Sequence, residues 1–235
     1  MHRAKWRSWL LAFLSLFMLA TPLWAHGVSE NDRAFIEGAA GIHIIPYMYL
    51  GAKHMVTGYD HLLFLFGVIF FLYRLKDVGI YVTLFALGHS TTLLLGVLLD
   101  MRANPFIIDT IIGLSVVYKA FDNLGGFQRL LGFTPNQKAA VLIFGFFHGF
   151  GLATKLQELT LDKDGLLANL VSFNVGVELG QLTALCMIFL FMALWRQSDL
   201  FRRTATFANS ILMAAGFVLM GYQLAGYFQQ SAVAI

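Results

Sequence analysis

LLANLVSFNVGVELGQLTALCMIFLFMALW, residues 166–195, holds a single charged side chain, Glu178. At ~1.5 Å per residue it is long enough to cross a ~30 Å hydrocarbon layer. In lipid such a run is a helix, because open backbone groups would find no partner there. Runs near 59–75, 78–99, 105–121, 139–157 and 205–228 repeat the pattern. The fold class that follows is all-α, a polytopic membrane helix bundle of about six transmembrane helices with the lipid bilayer as its solvent. Composition agrees: 58% of the 235 residues are hydrophobic, only 12% are charged, and mean hydropathy is +0.71. A soluble domain carries about a quarter charged residues.

Ahead of the bundle, Arg3, Lys5 and Arg7 precede an apolar stretch at residues 9–19 and the tripeptide Leu23-Trp24-Ala25. This is the order of a secretory signal peptide, residues 1–25. Residues 26–58 then form an extracytoplasmic N-terminal segment, and residues 59–235 form the six-helix transmembrane domain. Alternate loops carry Arg74, Lys76, Lys119, Arg129, Lys138, Arg196, Arg202 and Arg203, against Arg102, Lys155 and Lys163 in the others. The richer set marks the cytoplasmic side. Both the mature N-terminus and the C-terminus are therefore expected outside the cytoplasm, in a bacterial inner membrane. Basic residues spread over short loops build no nucleic-acid surface. The one cysteine, Cys186, excludes an internal disulfide or a thiolate site, so any metal must be held by nitrogen and oxygen.

Ionisable groups inside a span are costly and mark function by default. His54, Asp60 and His61 stand at the start of the first run, His89 midway along the second, His148 in the fourth and Glu178 in the fifth. With alternating direction of the spans, they share one depth in the outer half of the membrane. Imidazole and carboxylate in one layer suit a divalent transition metal. Asn174, Glu178 and Gln181 follow i, i+4, i+7 and are expected as one inward stripe. Thr92 shares the face of His89, and Asp109 near the outer end of the third run adds a further polar group. Any one of these could merely brace two helices, for ~0.6–2 kcal/mol. Six of them at one depth are better explained by a metal pocket.

Four stretches extend this reading: HMVTGYDHLL at 54–63, FALGHSTT at 85–92, FGFFHGFG at 144–151 and FNVGVELGQ at 173–181. The first has the H-x5-D-H spacing, and together they resemble the less characterised branch of the HupE/UreJ family. These are small bacterial membrane proteins linked to hydrogenase and urease maturation and regarded as nickel or cobalt permeases. The resemblance covers most of residues 41–190 and implies six transmembrane helices. It also implies metal uptake, with His54, Asp60 and His61 as entry ligands.

The function expected is transport of Ni²⁺, with Co²⁺ next and Zn²⁺ or copper as further candidates, without an organic cofactor and without enzymatic activity. A second reading from the same ligands is an intramembrane Zn²⁺ hydrolase, with Glu178 or Asp60 activating a water. No H-E-x-x-H pair supports it, and no G-x4-G-K-[ST] loop supplies an ATP motor.

Overall fold

The computed structural model describes residues 30–159 and 162–233, and the expected signal peptide lies outside the described residues. Nine helices and no strand occur among them. They are α1 (Glu30–Gly38), α2 (Ile44–Thr57), α3 (Tyr59–Ile69), α4 (Leu75–Leu98), α5 (Pro105–Asn123), α6 (Gly126–Leu131), α7 (Gln137–Leu156), α8 (Leu166–Arg196) and α9 (Asp199–Val233). Side chains of Asn104 and Asn136 accept from the first free amides of α5 and α7, and Pro105 occupies the first turn of α5.

Four of these helices, α4, α7, α8 and α9, are long and apolar enough to cross a membrane. The structure thus supports a helical membrane bundle and revises two of the six expected runs. The run at 59–75 is the 11-residue α3, too short at ~1.5 Å per residue to cross alone. The run at 105–121 is present as α5, but Asp109, Lys119 and Asp122 lower its apolar character. Those charges are matched: Lys155 reaches Asp109, and Lys119 reaches Asp122.

The short α3 continues α2. Gly58, with φ −73° and ψ 102°, interrupts the helix for one residue, and its amide still donates to the His54 carbonyl. Position 58, expected as a boundary between an outer segment and the bundle, is therefore a break within packed structure. The His43 amide and Gly41 carbonyl bond Asn169, Met48 lies against Gly176, and Ala52 lies against Gly180. At the far end the Arg196 guanidinium reaches the carbonyls of Ile69, Phe70 and Leu72. The α2 half of the broken element thus packs parallel to α8, and Arg196 ties the end of the α3 half to the same helix.

Helix α4 runs parallel to α7, with Phe85 against Gly145, His89 against Gly149 and Gly96 against Ala153. The Thr92 hydroxyl donates across this seam to the Phe146 carbonyl at 2.6 Å. Helices α5 and α9 are antiparallel, with Phe106 near Gly226, Gly113 near Met220 and Asn123 bonded to Asn209. Two apolar clusters fill the bundle. One contains Phe64, Phe85, Val116, Phe144 and Leu212, the other Met55, Leu93, Leu152, Leu170, Phe173 and Val177.

Candidate metal centre

The helix break places three site residues within two turns. His54 lies in the last turn of α2, and Asp60 and His61 lie in the first turn of α3. Gly58 is required between them: a Cβ there would fall 2.7 Å from His61 Nδ1 and 3.2 Å from Asp60 Oδ1. His89 comes from α4 and His148 from α7, brought together by the close glycine seam described above.

One ligand nitrogen from each of His54, His61 and His89 falls within 4.8 Å of the others, close enough for one ion. His61 and His89 are buried and His54 is half-buried. Around them the ring centroids of His61 stand 5.1 Å from His54, 5.9 Å from His89 and 5.0 Å from His148. Phe64 and Phe85 pack on His148, and Phe173 on His54. The polar cluster therefore stands between the two apolar ones.

Two hydrogen bonds orient the rings. Asp60 Oδ1 lies 3.1 Å from His61 Nδ1, and the Phe144 carbonyl lies 2.8 Å from His148 Nδ1. Carboxylate and carbonyl oxygens accept, so each Nδ1 carries a proton and its ring is held in one orientation. His148 Nε2 faces Asp60 Oδ2 at 3.9 Å. His89 is fully buried, and neither of its ring nitrogens has a hydrogen-bond partner among the described residues. A buried imidazole without partners is costly unless something else satisfies it. A metal ion would do so.

The remaining expected residues divide. Asn174 and Gln181 are buried, 6% and 1% exposed, but Glu178 is exposed on the outer side of α8. The stripe has the expected spacing yet lies at the edge of the buried arc. Gly176 and Gly180 seat α2, which swings that arc toward Phe173 and Val177. The structure does not bring Glu178 to the cluster, and the inward position expected for it is corrected. Thr92 bonds α7, and Asp109 pairs with Lys155; neither stands among the clustered nitrogens. Sequence reasoning missed Lys155, assigned above to a loop, and the aromatic walls Phe64 and Phe85. The one available signal for Lys155 was its place seven residues after His148, on the same helix face.

A family model described as HupE / UreJ protein matches residues 30–231. No curated protein and no solved structure matches the chain.

Proposed function

The chain belongs to the HupE/UreJ family, which is associated with nickel and cobalt transport, and from that premise we propose that it carries a divalent transition-metal ion, Ni²⁺ first and Co²⁺ next, through the cluster at the helix break. The observation that carries this reading is the convergence of His54, His61 and His89 from three helices inside an apolar bundle. Asp60 and His148 complete the set, Asp60 by fixing the His61 ring and supplying negative charge. Imidazole with carboxylate suits Ni²⁺ and Co²⁺, and hard ions that demand all-oxygen shells are disfavoured. The ligands come from both halves of a discontinuous helix, which leaves irregular backbone where it lines a polar site. The hydrolytic reading loses one of its two candidate bases, since Glu178 is exposed on α8, and the other, Asp60, is engaged by His61.

The purified chain in proteoliposomes should take up Ni²⁺ faster than empty vesicles, with Co²⁺ the next best competitor, ahead of Zn²⁺ and Cu⁺. Uptake no faster than in empty vesicles for any of these ions would reject transport.

Six crossings are part of the proposal. The α2–α3 element serves as the first, since α2 packs on the start of α8 and the end of α3 is tied to Arg196 at its close, and α5 serves as the third, its charges masked by ion pairs. Direction then alternates through α9 and keeps both termini extracytoplasmic. Reporter fusions after Gly132 should be cytoplasmic and fusions after Asp164 extracytoplasmic. The reverse pattern would invert the side from which the ion enters. In this topology the cargo arrives from outside and leaves toward a cytoplasmic metalloenzyme awaiting its metal.

A further inference from the structure

Beyond the histidine cluster, a part-buried ion pair joins α5 and α7. Lys155 Nζ donates to Asp109 Oδ2 at 2.8 Å, and the side chains are 15% and 6% exposed. The other oxygen, Asp109 Oδ1, is buried and has no hydrogen-bond partner among the described residues. It faces Gly151, where a Cβ would stand 3.4 Å away. On α7, His148, Gly151 and Lys155 follow i, i+3, i+7 and so share one face. Asp109 therefore stands between Lys155 and the histidine that faces Asp60.

A second acid–base pair on the same helix shows what a brace looks like. Asp122 takes Lys119 Nζ on Oδ2 at 2.6 Å and Gln137 Nε2 on Oδ1 at 3.0 Å. Both of its oxygens are used, as expected of a structural network in a dry site. Asp109 has one oxygen bound by a lysine and one open, facing Gly151 on the helix that carries His148. An open carboxylate oxygen inside a bundle is costly when its only role is to hold two helices together.

We propose that Asp109 is a second cation station on the transport path, filled in this structure by the tethered ammonium of Lys155. The divalent cargo takes it over in transit to the histidine cluster. An ammonium carries one charge and uses one oxygen. A dication carries two charges and can use both oxygens, so it displaces Lys155 where a monovalent cation gains nothing. The lysine thus keeps the carboxylate compensated when no cargo is present and selects for double charge. In the topology proposed above the station lies on the entry side. The inference rests on the transport reading, and its test separates the two.

The test uses the full chain with Ni²⁺ as the probe. Lys155→Arg keeps a cation on Asp109 but adds a fork that can hold a carboxylate through two hydrogen bonds. At sub-saturating Ni²⁺ its uptake into proteoliposomes should fall about tenfold, the effect of ~1.4 kcal/mol of firmer pairing. Calorimetric affinity of the histidine cluster should stay at the wild-type value. Lys155→Met leaves the carboxylate open and should show a second Ni²⁺ equivalent, which Lys155→Met combined with Asp109→Asn removes. Wild-type uptake by Lys155→Arg overturns the station whatever the other variants do, and this conservative variant decides alone if Lys155→Met does not fold. A wild-type chain that takes up no Ni²⁺ rejects transport itself. A transporting wild type matched by Lys155→Arg rejects only the station.

Discussion

His89→Ala is expected to abolish Ni²⁺ binding and uptake while the protein remains folded in the membrane. His89 is fully buried and neither ring nitrogen is hydrogen-bonded among the described residues, so its removal breaks no described polar contact and deletes one of three converging ligands. Removing even an outer partner of a metal ligand costs ~10–100-fold in affinity, and loss of a ligand itself should exceed that. Asp60→Asn should fall within the smaller range, because its main contact is the bond that orients His61. Glu178→Gln should bind as the wild type does, since Glu178 lies on the exposed side of α8. Calorimetry on size-homogeneous protein measures all three. Unchanged binding in His89→Ala would remove the cluster as the metal centre, and impaired binding in Glu178→Gln would mean that α8 turns inward.

Gly149→Leu should have the largest effect on stability. A Cβ at this position would overlap the His89 carbonyl and lie 2.6 Å from Thr92 Oγ1. Backbone cannot step aside as a flexible side chain can, so the whole α4–α7 seam must open. That separation also breaks the Thr92 bond to Phe146 and parts His89 from His148. Overpacking of this kind costs ~1–3 kcal/mol where side chains can relax, and more is expected here. Gly149→Ala should act in the same direction. Gly79→Ala, on the same α4 helix with nothing within 4 Å of its added Cβ, should be neutral or stabilise by up to ~1 kcal/mol. Thermal unfolding in detergent compares them. A wild-type transition in Gly149→Leu would show that the seam is not as close as described.

The long apolar helices were readable because lipid imposes a length and a composition on them, so the runs around α4, α7, α8 and α9 emerge from sequence with their ends off by only a few residues, save for the longer α9. The histidines stood out because an imidazole in such a run is costly, and it was their number at one depth, not any one of them, that pointed beyond a helix brace. The break at Gly58 was not. Averaged hydropathy joined 59–75 into one span and passed over the weaker apolar segment before it, whereas the chain bends its hydrogen-bond pattern at one residue and continues. The position of Glu178 was hidden for a related reason. Periodicity fixes which residues share a helix face, but the direction of that face is set by the neighbour, here α2 seated on Gly176 and Gly180. Lys155 followed the usual sorting of charges into loops, and only the three-dimensional placement of Asp109 shows why it turns inward.

The closest helix pairs are separated widely in the chain: α2 rests on α8, and α4 on α7. Ribosomes deliver these elements in order, at ~5–20 residues per second, so the face of α4 that carries His89 enters the membrane seconds before α7 exists to cover it. During that interval the imidazole has neither of its helical neighbours from the second half of the bundle, and the outer wall against α2 is missing until α8 is made. A chain interrupted before Gln137 would therefore leave His89, the one imidazole of the otherwise apolar α4, without α7 to cover it.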